Sequence, residues 1–447
     1  MTLSDLVPFL LIFWSFVFGF FGITGKTIKI ESRAKMLVFS CALLMICVGM
    51  IYKNISEDTL KRVGLAVVDK KNFPIAQTYS PAPPVSSLRR EKFTQLTSAD
   101  LKGTSTGSIL LWKDLILYGT EESSLEAISR ENGNPAWSLK VSNPIDMLSE
   151  GKDGGCILAG GRENSSGITD LYCIEASSGK VVWQTTFVGG FKKAPAVNPK
   201  LDLISFPMTN GNIWTLFYST GEKYWKYRSG PIVVGNKFVG DQLIIETLKE
   251  DKKGKTLIES VVASNGRNYW FTFIDGEPLD LMTATENKKT LILALTEISA
   301  SQSSKTLTKG LVHAVIGNGR KLWSATLPSL PVPTAVHIRQ NSTVVYSTKD
   351  GLLLSLWMYN GREVWRKKIA KEMRAGLSLF FPLTNPIIAS VSYDGIFSLR
   401  EATNGNELVH YSVEPGAKTQ PVMSEDMAYV LTPHKLYIFG GLMSLAE

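Results

Sequence analysis

A glycine followed four residues later by a tryptophan recurs along this 447-residue chain. The complete copies are Gly133 with Trp137, Gly179 with Trp183, Gly221 with Trp225, Gly266 with Trp270, Gly319 with Trp323, and Gly361 with Trp365. A seventh copy keeps Gly405 but has Val409 at the tryptophan position, and the intervals along the series are 46, 42, 45, 53, 42 and 44 residues. Repeats of about 40–50 residues are typical of four-stranded propeller blades, so the pattern predicts an all-β propeller.

A second signal divides each repeat into hairpins. Asn210-Gly211, Asp350-Gly351 and Asp394-Gly395 each lie ten residues before the repeat glycine. Asn-Gly and Asp-Gly favour tight turns between antiparallel strands. Each repeat therefore predicts a strand, a turn, a second strand, the glycine turn and a final strand that carries the tryptophan. We expect that tryptophan to pack between neighbouring blades.

The end of the chain indicates how the ring closes. Residues 428–432 and 435–439 form one more predicted strand pair with no strand after them. We expect the missing strand to come from the start of the domain, around Glu91 to Leu96, because pairing the two chain ends leaves no free sheet edge there. Residues 91–440 divided among eight blades give about 44 residues each. This predicts an eight-bladed propeller, with seven blades as the alternative.

These motifs resemble the PQQ-like repeat over roughly residues 91–440. That repeat is shared by quinoprotein alcohol dehydrogenases and by a non-enzymatic propeller that helps to assemble outer-membrane proteins. The resemblance implies structural roles for the six glycine and tryptophan pairs. In the enzymes PQQ lies beneath a disulfide between adjacent cysteines, with a Ca²⁺ ligand set and a catalytic Asp. This sequence contains no Cys-Cys pair. We therefore predict no catalytic, cofactor-binding or metal-binding residues.

Two apolar segments precede the propeller. Residues 6–25 and 36–52 carry no charged side chain, and the loop between them has four basic residues and one acid. About 17–20 apolar residues can span a bilayer as a helix, and short basic loops stay in the cytoplasm. Residues 1–53 are therefore predicted to form a transmembrane helical hairpin in the inner (cytoplasmic) membrane, contacting it through residues 6–52. Residues 54–90 predict a proline-rich stalk, and residues 441–447 a C-terminal tail. The propeller would then be on the extracytoplasmic, or periplasmic, side.

Two smaller features remain open. Cys156 and Cys173 flank a predicted hairpin, where they can form a disulfide in an oxidising compartment or pack as buried thiols. Arg366, Lys367, Lys368 and Lys371 follow the sixth tryptophan in a predicted inter-blade connection. They form either a solvated loop or an electrostatic docking patch. Lys192, Lys193, Lys223, Lys226 and Arg228 are candidates to extend that patch.

The functional hypothesis follows from these features. The net charge is +8, but no Lys/Arg-rich block favours nucleic acid, and the four histidines have no metal-ligand spacing. We predict a non-catalytic, membrane-anchored scaffold that binds other cell-envelope proteins through its propeller loops, without a small-molecule substrate. The alternatives are a membrane-bound PQQ-dependent oxidoreductase and a ligand-sensing propeller.

Overall fold

A computed structural model describes residues 93–151, 155–248, 254–286, 289–302, 305–380 and 385–442. The predicted hairpin (1–53) and stalk (54–90) lie outside these residues, as do residues 443–447 of the predicted tail. No helix within the described ranges is both long and apolar enough to cross a bilayer.

The described residues form 32 strands arranged as eight four-stranded antiparallel sheets, or blades. The all-β, eight-bladed prediction is confirmed, and the seven-bladed alternative is wrong. The first strand, β1 (Thr94–Asp100), belongs to the last blade.

The first four blades follow in chain order. Blade 1 contains β2 (Ser105–Trp112), β3 (Leu115–Thr120), β4 (Ser124–Ser129) and β5 (Pro135–Lys140). Blade 2 contains β6 (Ile145–Glu150), β7 (Cys156–Gly161), β8 (Ile168–Glu175) and β9 (Lys180–Val188). Blade 3 contains β10 (Ala196–Asn198), β11 (Leu203–Pro207), β12 (Asn212–Phe217) and β13 (Lys223–Arg228). Blade 4 contains β14 (Ile232–Val239), β15 (Gln242–Leu248), β16 (Lys255–Val262) and β17 (Asn268–Asp275).

The remaining blades complete the ring. Blade 5 contains β18 (Glu277–Glu286), β19 (Lys289–Gln302), β20 (Lys305–Ile316) and β21 (Lys321–Leu327). Blade 6 contains β22 (Val336–Ile338), a 3-10 turn (Arg339–Asn341), β23 (Thr343–Ser347), β24 (Leu352–Trp357) and β25 (Glu363–Lys368). Blade 7 contains β26 (Ser378–Phe380), β27 (Ile387–Val391), β28 (Ile396–Glu401) and β29 (Glu407–Ser412). Blade 8 contains β30 (Val422–Ser424), β31 (Met427–Leu431), β32 (Lys435–Gly440) and β1.

Burial follows the position of each strand in its blade. The middle strands are buried on both faces, and β7 and β11 are buried at every residue. The last strand of a blade is mostly exposed, as in β13 and β25. The first strands of most neighbouring blades contact each other, as β2 contacts β6 and β14 contacts β18, so the first strands surround the central axis. Apolar middle strands are thus sandwiched between blades, while the last strands form the outer edge of the ring.

Strand β1 closes the ring by pairing with β32. Thr94 lies opposite Gly440 and Asp100 opposite Lys435. The sequence placed this strand around Glu91 to Leu96, a few residues too early. β1 pairs with the whole length of β32, from Gly440 back to Lys435 at the preceding turn. The strand therefore extends to Asp100.

Each repeat tryptophan packs against the repeat glycine of the following blade. A β-carbon at Gly179 would lie 2.7 Å from Cε3 of Trp137, so only glycine fits beneath the ring. The same contact joins Trp183 to Gly221, Trp225 to Gly266, Trp270 to Gly319, Trp323 to Gly361, and Trp365 to Gly405. In four copies the indole Nε1 also donates to a backbone carbonyl of the next blade: Ala176, Tyr218, Ala263 or Met358. The repeat therefore links consecutive blades.

Small side chains make room for the tryptophans. The residues opposite them on the neighbouring strand, and so on the same face, are Ala127, Cys173, Thr215, Ser260, Ala314 and Ser355. In blade 7 the tryptophan is replaced by Val409, and the opposing residue is Leu399. A larger partner thus accompanies the smaller side chain, which keeps the total volume of the pair similar.

The last two contacts between blades use other side chains. Between blades 7 and 8, Phe93 packs with Phe397, Tyr411 and Phe439 at centroid distances of 5.8–6.5 Å. Between blades 8 and 1, Arg130 Nε donates to Tyr429 Oη at 2.5 Å, and its guanidinium lies over the Tyr429 ring. Aromatic packing and one arginine replace the indole at the closure.

His313 in β20 is fully buried and hydrogen-bonded on both ring nitrogens. Nε2 lies 2.9 Å from the Asp275 carbonyl, which can only accept, so Nε2 carries the proton and Nδ1 accepts from the Ser324 hydroxyl. Burial, reinforced by the Lys321 charge, lowers the pKa of His313 from 6.5 to about 4. The buried imidazole is therefore neutral at physiological pH.

We expect His313 to make the fold acid-sensitive. Its pKa is lower in the folded state, so the stability it contributes is present above pH 6.5 and is lost as the pH falls towards 4. The free energy of unfolding should fall by about 2.5 kcal/mol between pH 7 and 4.5. When the free energy of unfolding is measured by urea at several pH values, wild type should show this decrease and His313→Gln should not. His434→Gln changes an exposed histidine and should keep the pH dependence of wild type. The same pH dependence in His313→Gln would contradict the role given to His313.

Candidate docking surface

The predicted basic patch lies largely on the outer edge of blade 6. Arg366, Lys367 and Lys368 are exposed residues of β25, the last strand of that blade, rather than of an inter-blade connection. Lys371 follows in the connection to blade 7 and is also exposed. The structure thus brings the four predicted residues together on one edge.

Two of the four charges have partners within the chain. The Arg366 guanidinium pairs with Glu363, with Nε to Oε1 at 2.8 Å, and this pair holds the pKa of the Glu363 carboxyl below its usual range. Lys368 Nζ donates to the Asp350 backbone carbonyl. Lys367 and Lys371 form no ion pair with a carboxylate of the described residues. A docking partner would therefore meet chiefly these two ammonium groups.

The proposed extension of this patch is wrong. Lys223, Lys226 and Arg228 lie on β13 of blade 3, and blades 4 and 5 separate that strand from β25. Lys192 and Lys193 lie in the segment leading into blade 3, where Lys193 Nζ pairs with Asp280 of β18. Residues with similar charge are thus distributed around the ring and do not form one patch.

Blade 3 presents a separate surface that combines lysines with aromatic rings. Lys223 Nζ lies 4.6 Å from the Phe187 ring centroid and 5.2 Å from that of Trp214. Lys226 Nζ lies 5.3 Å from the same Trp214 ring. Trp214 is not one of the repeat tryptophans. Cation–π contacts of this kind fix the lysines over the rings, so this edge is positively charged and ordered.

The outer strands also expose apolar side chains. The residue immediately before the repeat tryptophan is exposed and has a large apolar or aromatic side chain in five blades, as Val182, Tyr224, Tyr269, Leu322 and Val364. On β17, Tyr269 is 65% exposed and Phe271 61% exposed. Exposed aromatic residues are enriched at protein interfaces. The circumference of the ring therefore offers apolar contact positions beside basic ones.

Cys156 and Cys173 are joined by a disulfide in the structure. Their Cα atoms are 5.4 Å apart on the adjacent strands β7 and β8 of blade 2, and both side chains are buried. Cys173 also faces the repeat tryptophan Trp183. The bond therefore connects the two middle strands of a blade directly beneath one inter-blade contact.

We expect loss of this disulfide to destabilise the propeller measurably. The bond closes a loop with a sequence separation of 17, for which the chain-entropy model gives about 3 kcal/mol. The Cys156→Ala/Cys173→Ala variant should lose about that much in urea unfolding. A reductant should lower the stability of wild type and leave the variant unchanged. Equal stability of the two proteins would instead favour two thiols that only fill space.

One open cavity of about 840 Å³ lies between blades 5 and 6. It is lined by Thr283, Ala284, Thr285, His337, Arg339 and Gln340. Among the described residues, no group of three or more His, Cys, Asp or Glu side chains could hold a metal ion. The lining of the cavity offers hydroxyl, imidazole, guanidinium and amide groups to a polar ligand.

Known structures share this architecture at low sequence identity. BamB from Moraxella catarrhalis superimposes with a TM-score of 0.57 and 14% identity, covering 78% of this chain and 99% of that one. The computationally designed Ika8 protein gives 0.61 and 12%, covering 77% and 99%. Saccharomyces cerevisiae Sqt1 gives 0.60 and 13%, covering 77% and 98%. These similarities show the fold alone.

Sequence comparison is more specific. No curated protein sequence matches the chain significantly. The family described as outer membrane protein assembly factor BamB matches residues 121–365, which is more than half of the chain and covers all six glycine and tryptophan pairs. This chain therefore belongs to the family described as outer membrane protein assembly factor BamB.

Proposed function

We propose that this chain is a non-catalytic, membrane-anchored interaction scaffold that serves as an assembly subunit of a cell-envelope complex. The observation that carries the proposal is its membership of a family described as an assembly factor. The outer strands support it, because they combine exposed aromatic residues with separate basic edges. In this proposal the ring is rigid and its edge strands and loops bind other envelope proteins.

The proposed location is the extracytoplasmic face of the inner membrane. The two uncharged segments at residues 6–25 and 36–52 support the anchor, and the basic loop between them supports the orientation. The Cys156–Cys173 disulfide agrees with an oxidising compartment. Alkylation of thiols in intact cells, followed by a mass-shift gel, tests this location. Fully reduced cysteines in growing cells would contradict it.

In-cell photo-crosslinking tests the scaffold function. A photoreactive amino acid would replace Tyr269 or Phe271 on β17, or Lys367 or Lys371 at blade 6, one position at a time in the full-length chain. We expect at least one edge to give a discrete adduct with an envelope protein, identified by mass spectrometry. The two edges serve as controls for each other, because a specific partner contacts one of them preferentially. Absence of discrete adducts from all four positions would contradict the proposal.

Paired charge reversals test the basic patch itself. Lys367→Glu/Lys371→Glu should reduce the co-purified partner by about fivefold or more, since reversed charges at an interface repel. Lys226→Glu/Arg228→Glu on blade 3 changes the net charge equally and is the matched control. If only the blade 3 variant loses the partner, the docking edge is on blade 3.

Reconstitution with PQQ and Ca²⁺ tests the enzyme alternative. We expect no stoichiometric cofactor spectrum, because the sequence lacks the adjacent cysteines of the quinoprotein enzymes that it resembles. A stoichiometric spectrum together with dye-linked oxidation of an alcohol would contradict the scaffold proposal.

A further inference from the structure

Three consecutive blades carry the same tripeptide in the turn that precedes their outermost strand. The turns are Asn265-Gly266-Arg267 in blade 4, Asn318-Gly319-Arg320 in blade 5 and Asn360-Gly361-Arg362 in blade 6. In each turn the asparagine Oδ1 accepts the backbone N–H of the arginine at 2.9–3.2 Å. The other four copies of this turn have Asn134, Lys180, Glu222 or Asn406 at the arginine position. Arginine at this position is therefore confined to one sector of the ring, blades 4 to 6.

The three turns lie next to one another on one face of the ring. Each joins the third strand of its blade to the outermost strand, so equivalent turns lie at about the same height along the ring axis. A β-carbon at Gly319 would lie 2.7 Å from Cε3 of Trp270, and Gly361 packs in the same way on Trp323. Each of these tryptophans lies three residues after the arginine of its own blade. Each arginine turn thus adjoins the next through one indole ring, and we call their face of the ring the arginine face.

The three guanidinium groups are available to a partner. Arg267, Arg320 and Arg362 are all exposed. None of them forms an ion pair with a carboxylate among the side chains that the structure describes. The carboxylate that follows Arg362 in the sequence belongs to Glu363, and it pairs with Arg366 instead. The arginine face therefore carries positive charge that the described side chains do not neutralise.

Other side chains on the arginine face suit a membrane surface. Arg339 is exposed in the 3-10 turn of blade 6, whose end is hydrogen-bonded to the turn that carries Arg362. Tyr359, in that second turn, is 47% exposed, and tyrosine is enriched where membrane headgroups meet water. The exposed acid Asp241, in a turn of blade 4 on this face, offsets only one of the four arginines. Basic and aromatic side chains thus occur together here, as they do on proteins that lie on membranes.

The described chain begins at the same face. Thr94, the first residue of β1, pairs with Gly440 at the end of β32. In blades 4 to 6 the corresponding place, between the third and the outermost strand, is occupied by an arginine turn. The proposed anchor, residues 6–52, precedes this point in the sequence. A domain held at a membrane meets lipid headgroups at a high effective concentration, so a weak charge contact is sufficient.

We propose that the arginine face contacts the surface of a membrane that contains anionic phospholipids, with Arg267, Arg320 and Arg362 binding lipid phosphates. A guanidinium group can bind a phosphate through two parallel hydrogen bonds. Turns at one height also match a flat surface, which the curved outer edge of the ring does not. The occupant is therefore a lipid surface rather than a protein. This inference rests on the membrane anchor of the proposed function.

Arginine footprinting of the full-length protein in lipid nanodiscs tests the contact. Phenylglyoxal modifies exposed guanidinium groups, and mass spectrometry measures the rate at each arginine. One nanodisc contains phosphatidylcholine alone, and the other contains equal parts of phosphatidylcholine and phosphatidylglycerol. In the anionic nanodisc, modification of Arg267, Arg320 and Arg362 should slow about fivefold or more, the factor that one basic residue near an anionic surface contributes. Arg228, exposed at the other end of an outermost strand, should react equally in both.

A charge reversal separates the arginine face from the net charge of the protein. Arg320→Glu/Arg362→Glu should abolish the protection of Arg267, which remains as the reporter. Lys226→Glu/Arg228→Glu on blade 3 changes the net charge equally and should leave the protection intact. All four substituted side chains are exposed, so both variants are expected to fold, which a thermal melt verifies. Added NaCl should remove the protection in wild type, because salt screens the attraction.

Three results would overturn the proposal. Equal rates in the two nanodiscs would exclude the lipid contact and leave the scaffold proposal standing. Protection of the three arginines in isolated cell membranes, but in neither nanodisc, would identify an acidic protein as the partner. Failure of the full-length chain to enter nanodiscs would contradict the anchor, and this inference would fall with it.

Discussion

Replacing Gly179 with alanine should lower the free energy of unfolding by about 2–5 kcal/mol. Two costs combine. Gly179 has φ of +74°, which costs an L-residue about 1–2 kcal/mol. The new β-carbon would also lie 2.7 Å from Trp137 Cε3, and overpacking of this kind costs about 1–3 kcal/mol. Displacement of the indole would in addition strain its 2.9 Å hydrogen bond to Ala176.

Gly167, in the same blade, separates these two costs. Its φ is +71° and its N–H donates to a carbonyl at 2.9 Å, as the N–H of Gly179 does, but a β-carbon there would meet nothing within 4 Å. Gly167→Ala should therefore lose only about 1–2 kcal/mol. Urea unfolding followed by tryptophan fluorescence measures both variants. Equal losses would mean that the indole contact between blades contributes little, contrary to the repeat-based account of ring stability.

Replacing Phe93 with alanine should cost about 4 kcal/mol, because large-to-small changes at buried aromatic residues typically cost 3–5 kcal/mol. Phe93 is fully buried immediately before β1 and stacks on Phe439 of β32 at a centroid distance of 5.8 Å. Its carbonyl also accepts a hydrogen bond from the Tyr411 hydroxyl of blade 7. The side chain therefore holds the closing strand against two blades, and its loss should loosen the closure first.

Leu96, three residues further along in β1, provides the matched control. It is 58% exposed, so Leu96→Ala should lose less than about 1 kcal/mol. Hydrogen exchange should show faster opening of β1 and β32 in Phe93→Ala than in Leu96→Ala. If Phe93→Ala unfolds like wild type, the aromatic cluster does not secure the closure, and main-chain pairing alone must do so.

The sequence specified the architecture well because its strongest signals repeat. Glycine turns and tryptophans at a fixed period predicted eight blades, and the unpaired hairpin at the end predicted that the first strand closes the ring. The pattern did not specify which glycine each tryptophan contacts. Trp137 is four residues from Gly133 but packs on Gly179, one repeat later. In a periodic sequence every tryptophan has a glycine four residues before it and another one repeat later. Only the geometry of the ring shows that the later glycine is the one in contact.

The sites were harder to predict for physical reasons. Arg366, Lys367 and Lys368 look like a loop because an outer strand that is exposed on both faces has no alternation of apolar and polar residues. Lys193 and Asp280 are 87 residues apart, and no local pattern connects them. Glu246, an isolated acid within the apolar run of β15, marks a buried polar position, but the sequence does not show its neighbours.

The closing strand β1 is synthesised long before the strand with which it pairs. Residue 100 is translated early, yet its partner in the sheet, residue 435, emerges 335 residues later. At about 5–20 residues per second, β1 remains unpaired for roughly 15–70 s while the other blades form. An unpaired strand can pair incorrectly with another strand or another chain. Its sequence, Thr-Gln-Leu-Thr-Ser-Ala-Asp, has a single large apolar residue, which makes it a poor nucleus for aggregation during that interval.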